Sequence, residues 1–308
     1  MDKKRAIALG AFDGLHLGHL RVLEGTKQFG LAPSVLLFSE HPAKVLCGTT
    51  PPILITDTKR DALLREMGIE PLKTDFREIV SLSAREFVQE ILRDRLHAGA
   101  VSCGENYTFG KERAGTPAVL KALCAECGIQ LFVAPTAEAL GAPVSSTRIR
   151  KYLQNGEIES ANALLGRRFS YAFEVVHGDA RGRTLHFPTI NQFFPSDFVV
   201  PKYGVYASQV FINGSYHAAV TNIGVRPTIG TKTPRSETCI LGFSGDLYGQ
   251  YTEVELLSYL RPEQKFDSLD ALRAAIQKDS IRAAEIFENP VLNVSHYHVD
   301  NNAENLLY

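Results

Sequence analysis

The stretch Gly10-Ala11-Phe12-Asp13-Gly14-Leu15-His16-Leu17-Gly18-His19 constrains the fold more than any other part of the chain. The apolar run Ala6-Ile7-Ala8-Leu9 leads into it and reads as a buried strand, too short for a helix. Residues 20–29 lead out of it as a predicted helix, with Gly30 as the C′ stop. Gly10, Gly14 and Gly18 remove Cβ atoms from a turn where the backbone must come close to a ligand. A strand, a glycine-rich turn and a helix N-terminus together form an anion site, because unpaired N–H groups and the positive dipole end face the same way. His16 and His19 are three apart and share one face of the first helical turn. The spacing fits neither GxGxxG nor the P-loop, and no Lys-Ser/Thr follows the last glycine. On HxGH alone, two histidines capping an ordinary helix remain an alternative.

At 308 residues the chain is long enough for two domains. An apolar fraction of 44% and a charged fraction of 22% are those of a soluble globular protein. The net charge of −1 gives no electrostatic case for nucleic acid or membrane as a partner. No apolar run approaches a membrane span, and Lys3-Lys4-Arg5 reads as a solvated strand start rather than a signal segment. Five cysteines without framework spacing imply reduced thiols and a cytoplasmic protein.

Along the chain, Ser34-Val35-Leu36-Leu37-Phe38 reads as a second buried strand, ending at Ser39-Glu40-His41-Pro42. Open α/β sheets bind ligands at strand C-termini, which places His41 at the pocket. A helix is predicted from Thr56 to Met67, and another from the capping box Ser83-Ala84-Arg85-Glu86 to about His97. Ala100–Cys103 is a short strand followed by Gly104-Glu105-Asn106-Tyr107-Thr108-Phe109-Gly110-Lys111. Thr116-Pro117 opens a helix carrying Cys124 and Cys127, a single CxxC that lacks the second ligand pair of a structural zinc. Val144-Ser145-Ser146-Thr147-Arg148-Ile149-Arg150 begins a helix ending at Asn155-Gly156. Arginines disfavour a helix N-terminus unless an anion offsets them, and a phosphate is such an anion.

After Gly166 the helix–strand alternation gives way to short strands and turns. Residues 205–212 and 215–222 flank Asn213-Gly214, a strong hairpin signal. Residues 237–243 and 252–259 read as strands, and 268–286 as a helix with Leu269, Leu272, Ile276 and Ala283 near one stripe. The pattern predicts a small barrel closed by a helix, with a polar tail from Asn289. Between Gly178 and Asn191, glycines precede Thr189-x-Asn191, whose side chains share a side in an extended segment. Those oxygens suit Mg²⁺ and phosphate, although the segment reads equally well as a turn-rich barrel loop.

These motifs carry two family resemblances. The first stretch resembles the nucleotidyltransferase superfamily, and its longer form GxFDGxHxGH the FAD synthetase branch. Residues 104–110 resemble that family's GxDFxFG, with Asn106 in place of an aspartate, and 145–150 resemble SSTxIR. Residues 178–191 resemble the riboflavin kinase motif GxxxGRxxGFPTAN, and Glu237–Phe243 resembles ExHLLDF. Gly204-Val205-Tyr206, residues 222–228 and residues 245–249 also match that family. The chain through about Phe287 thus resembles the bifunctional bacterial riboflavin kinase/FAD synthetase family.

The resemblance implies an α/β nucleotidyltransferase (Rossmann-like, HxGH) domain over 1–165. It also implies a small antiparallel β-barrel kinase domain with a C-terminal helix over 166–288, and a tail over 289–308. It implies phosphorylation of riboflavin by ATP to FMN, then adenylylation of FMN by a second ATP to FAD, with Mg²⁺ at each step. His16, His19, Arg148 and Glu237 take catalytic roles, with Glu237 the base on the riboflavin hydroxyl. Gly10, Phe12, Asp13, Gly14, Gly18, Ser145, Ser146, Thr147, Arg150, Gly178, Gly182 and Arg183 bind ATP or its phosphates. Asn106, His41 and Arg226 serve the flavin, and Thr189 and Asn191 the metal. The chain departs from the pattern at His186, Cys239 and Gly242, where the family has glycine, histidine and aspartate. Those departures favour the alternative of an adenylyltransferase with a decayed kinase half; a non-catalytic flavin-binding regulator is the other.

Overall fold

A computed structural model describes residues 4–177, 188–225 and 233–289. The chain forms two compact units, residues 1–146 and 147–308.

The first unit is built on a five-stranded parallel sheet: β1 (Arg5–Ala8), β2 (Ala32–Phe38), β3 (Glu70–Thr74), β4 (Ala98–Gly104) and β5 (Gln130–Ala134). The strand order is β3-β2-β1-β4-β5. The chain winds outward from β1 in one direction and returns to β4 on its other side. The C-terminal end of β1 is therefore the switch point at which such sheets open a ligand crevice. Alternation along β1 splits the core. Ile7 and Leu9 face a cluster with Val88, Leu92 and Leu120, while Ala8 faces one with Leu23, Val35 and Leu64. Helices α1 (Leu17–Lys27), α2 (Pro42–Cys47) and α3 (Asp57–Glu66) come from the first half of this unit. Helices α4 (Ala84–Glu86) and α5 (Pro117–Glu126) come from the second, with the short hairpin β6 (Glu138–Ala139) and β7 (Ala142–Pro143) after β5. No helix among the described residues is long and apolar enough to cross a membrane.

The second unit takes in most of α6 (Ser146–Asn155) and then α7 (Ile158–Leu165). Its antiparallel sheet contains β8 (Phe169–Glu174), β9 (Thr189–Phe193), β10 (Gly204–Ile212), β11 (Ser215–Gly224), β12 (Arg235–Ile240) and β13 (Tyr251–Arg261). The order is β8-β13-β10-β11-β12-β9, and Val176, just past β8, donates its N–H to the Asn191 carbonyl of β9 at 2.9 Å. That bridge joins the two edges, so the sheet curls into the predicted small barrel. Asn213 (φ 51°) and Gly214 (φ 83°) supply the left-handed pair of a two-residue hairpin between β10 and β11. Helix α8 (Leu269–Glu288) covers one face through Ala283 and Ile286 against Val205, Ala207 and Val220.

Several elements differ from the sequence reading. Helix α1 starts at Leu17 rather than Leu20, because His16 is its N-cap. The helix predicted from Ser83 to His97 begins with the expected capping box, then winds as a π-helix over Phe87–Arg95. The wider turn brings Phe87, Val88, Ile91 and Leu92 together onto the core. The strand predicted over 237–243 ends at Ile240, since Gly242 takes φ 67° and turns the chain. On α8, Leu269 is 69% exposed, and buried Asp279 occupies the inner stripe through an ion pair with Arg261 at 2.8 Å. Edge strands β3 and β5 lie outside the sequence reading; Pro71 and Lys73 mask the first.

Candidate functional site

The first site grows out of the β1–α1 turn. His16 Nδ1 accepts the N–H of His19 at 3.3 Å, a side-chain cap on one unpaired amide of the helix N-terminus. The two imidazoles stack with centroids 3.7 Å apart and planes 14° from parallel. Fully buried Phe12 packs against the His19 ring, their centroids 5.2 Å apart and planes tilted by 53°. A Cβ on Gly18 would stand 3.2 Å from His16 Cε1, so a larger residue would press on the ring. Gly14, at φ 86°, turns the chain between Asp13 and Leu15. Asp13 is buried, and its carboxylate accepts the Leu54 N–H at 2.8 Å. Its backbone carbonyl accepts the Ser146 hydroxyl at 2.8 Å, which ties the second predicted motif to the first.

These residues form one end of a cavity of about 710 Å³, lined by Gly10, Phe12, His16, Gly18, His19, Ser145 and Ser146. Asn106 and His41 line it too. His41 caps α2, its Nδ1 accepting the Ala43 N–H at 3.1 Å. Phe38, Phe76, Phe87, Tyr107 and Phe109 form an apolar wall. Within that wall Phe38 meets Phe76 edge-on at 5.0 Å, and Tyr107 stacks on Phe109 at 5.7 Å. Burial pushes the Tyr107 phenol up, so it stays neutral. At the rim Glu105 accepts the hydroxyl and the N–H of Thr136, which lowers its carboxyl. Phe38, Phe76 and Phe87 were missed in the sequence, since they come from separate segments with no shared spacing. Asp13 and Gly14 shape the turn from beneath. Thr147, Arg148 and Arg150 belong to the second unit, where Arg148 donates to the Tyr152 hydroxyl at 3.1 Å.

The second site is a matter of strand register. On β12, Glu237 stands opposite Asn191 of β9, and Cys239 opposite Thr189. On the other side Glu237 stands opposite Asn222 of β11. Directly opposed residues put their side chains on one face about 5 Å apart, so Thr189, Asn191, Glu237, Cys239 and Asn222 share a surface. Arg235, two residues before Glu237, holds its carboxylate at 2.8 Å. Burial pushes the Cys239 thiol up to about 11, which keeps it protonated. Asn191 Nδ2 donates to the Thr189 carbonyl at 3.5 Å. Sequence reasoning missed Arg235, whose alternation with Glu237 is informative only once the strand is known. Gly178, Gly182, Arg183, His186 and Arg226 lie outside the described residues, as does the tail beyond Asn289. Cys124 is buried and its thiol pushed up to about 12, and no metal-ligating cluster exists among the described residues.

A parallel sheet with paired histidines at its switch point, followed by a barrel with a carboxylate opposite a Thr-x-Asn pair, defines a two-domain phosphate-handling transferase. Residues 1–148 match the family described as FAD synthetase, and residues 165–287 the one described as riboflavin kinase. A Listeria monocytogenes protein named bifunctional riboflavin kinase/FMN adenylyltransferase is 34% identical over 90% of this chain and 91% of its own. The Escherichia coli K12 protein of that name is 34% identical over 91% and 92%. A solved structure described as a macrolide-efflux protein from Streptococcus pneumoniae superposes with a TM-score of 0.83 at 29% identity, covering 94% of this chain and 95% of that one. The chain belongs to the bifunctional riboflavin kinase/FMN adenylyltransferase family.

Proposed function

We propose that the chain carries out both reactions of its family, converting riboflavin to FMN and FMN to FAD, each at the expense of one ATP. The functional division is assigned to residues 1–165 for adenylyl transfer and 166–288 for the kinase. The observation that carries the reading is the stacked His16–His19 pair on a helix N-terminus, facing a cavity with an aromatic wall. The polar end suits a triphosphate and the apolar wall suits a flat isoalloxazine ring.

In adenylyl transfer, an FMN phosphate oxygen attacks the α-phosphorus of ATP and pyrophosphate leaves. His16 Nδ1 is engaged by the His19 N–H, which leaves Nε2 as the nitrogen that donates to the phosphate. His19 is the second donor to the charge that develops in the transition state. Gly10, Gly14 and Gly18 allow the close approach, and Ser145, Ser146 and Thr147 offer hydroxyls to phosphate oxygens. Arg148 and Arg150 are assigned to the leaving pyrophosphate, and Asn106 and His41 to the flavin.

In the kinase step, Glu237 accepts the proton of the riboflavin 5′-hydroxyl as that oxygen attacks the γ-phosphorus and ADP leaves. Arg235 pairs with the carboxylate at 2.8 Å and aims it. Thr189 Oγ1 and Asn191 Oδ1 are hard oxygen donors on one face, beside that base, and fit Mg²⁺. A bound Mg²⁺ would neutralise charge on the transferring phosphoryl group. Gly178, Gly182 and Arg183 are assigned to the kinase ATP and Arg226 to its flavin.

Incubating the protein with riboflavin, ATP and Mg²⁺ and separating the products by chromatography tests the reading. FMN and then FAD are expected. FAD from FMN without any FMN from riboflavin would replace it with the adenylyltransferase-only reading.

A further inference from the structure

The strand that carries Thr189 and Asn191 lies at an edge of the barrel sheet, paired in its ladder only with β12. An edge strand is free to shift unless something else holds it, and both proposed metal oxygens move with it. Beyond the ladder, two hydrogen-bonded attachments among the described residues hold β9. One is the Val176 N–H donated to the Asn191 carbonyl at 2.9 Å. The other is Gln192, whose side chain points opposite to those of Thr189 and Asn191, into the barrel.

Gln192 is fully buried. Its Nε2 donates to the Phe173 carbonyl of β8 and to the Thr252 carbonyl of β13, both at 2.7 Å. Two carbonyl partners leave no ambiguity about the amide, since only the NH₂ end can donate to both. Phe173 and Thr252 are themselves directly opposed across β8 and β13. One side chain therefore clasps three strands, and it sits next in sequence to Asn191. Gln192 Oε1 is buried with no hydrogen-bond partner among the described residues. A buried carbonyl left unpaired costs stability, so what this side chain contributes is its two donated bonds.

The neighbouring interior is polar in the same way. Ser208, Thr221 and Thr238 form a chain of buried hydroxyls at 2.8 and 2.9 Å across β10, β11 and β12. Thr238 lies between Glu237 and Cys239 on the opposite face. The base-bearing strand is thus locked from inside by hydroxyls, and the metal-bearing strand by one amide.

We propose that Gln192 is a positioning residue of the kinase site. It clasps β9 to β8 and β13 and so sets Thr189 and Asn191 against Glu237. The proposal rests on the reading of Thr189 and Asn191 as the metal pair.

The test compares Gln192→Leu and Gln192→Met with the unmutated full chain; methionine keeps the length and volume and removes the donors. The apparent affinity for Mg²⁺ in riboflavin phosphorylation should fall about 10–100-fold, the range for groups that orient metal ligands. The loss should lie in KM for the Mg²⁺–ATP pair, with kcat within about threefold, and FMN-to-FAD conversion in the same preparation should not change. Amide hydrogen exchange without substrates supplies the second readout: residues 189–193 should exchange faster while the β10–β11 hairpin keeps its protection. Unchanged Mg²⁺ dependence, or unchanged exchange over 189–193, overturns the proposal. Loss of protection throughout the barrel in both variants also overturns it, since Gln192 would then hold the fold rather than one strand. Asn191→Ala is measured alongside. If it keeps riboflavin phosphorylation and its Mg²⁺ dependence, the metal-pair reading falls and takes the proposal with it. A dead Asn191→Ala beside an unaltered Gln192→Leu removes the proposal alone.

Discussion

The two proposed sites are assembled by opposite means. In the first unit the paired histidines come from one contiguous turn. His16 and His19 are three residues apart, and the bond that orients them is a helix cap within the same segment. In the second unit the carboxylate and the Thr-x-Asn pair lie on different strands. Glu237 meets Asn191 only because β12 and β9 pair in one register, and a slip of one residue would turn every side chain of the site to the other face. A site made by a turn is protected by short-range geometry, whereas a site made by register depends on every strand that sets the register. Changes inside the barrel should therefore reach the kinase reaction at a distance, while the adenylyl site responds mainly to changes in its own turn and cavity.

The largest effect that would break this comparison is at Glu237. Glu237→Gln removes the proton acceptor and should lower FMN formation by about 10²–10⁴-fold, leaving FMN-to-FAD conversion intact. Chromatography of both half-reactions decides it, and a parallel fall in both would mean the two sites are not separate. His19→Ala is the mirror experiment. Loss of one transition-state donor should cost about 10²–10³ in FAD formation while FMN still accumulates from riboflavin. A wild-type rate would remove His19 from the chemistry.

Arg148→Ala should have a smaller effect, confined to the adenylyl step. A lost charge-assisted hydrogen bond is worth about 1.5–3 kcal/mol, or roughly 10–100-fold in ATP affinity, with FMN binding spared. Calorimetry with each ligand separates the two. A fall in FMN affinity alone would contradict the phosphate assignment.

The smallest effect concerns Cys239. Its thiol is raised to about 11 by burial, so it stays protonated near neutral pH and contributes no inflection to the kinase pH profile between about 6 and 9. Cys239→Ser should leave that profile unchanged, and Cys239→His should remain active within a few-fold of wild type. Because the thiol is both buried and protonated, iodoacetamide should alkylate exposed Cys47 first, which peptide mass spectrometry resolves. A kinase limb near pH 8 that vanishes in Cys239→Ser would make the thiol an active partner rather than a neighbour.

The sequence alone determined the features that reside in short segments. The glycine-rich turn at Gly10–His19, the capping box at Ser83, the hairpin at Asn213-Gly214 and the change of character after Gly166 were all legible there. Each follows from backbone sterics or a cap within a few residues, which neighbours in sequence can decide. The aromatic wall, the partnership of Glu237 with Arg235, the π-helical winding of Phe87–Arg95 and the clasp made by Gln192 were not. Phe38, Phe76 and Phe87 meet only once the sheet has been wound, and Gln192 finds its two carbonyls only once β8, β13 and β9 have closed the barrel. Even Leu269, apolar and in phase with its helix, lies exposed, while Asp279 is buried because Arg261 waits at the end of β13. Local pattern sets which conformations a segment prefers; only long-range packing and pairing decide which of its polar groups find partners, and these placed the residues around both sites.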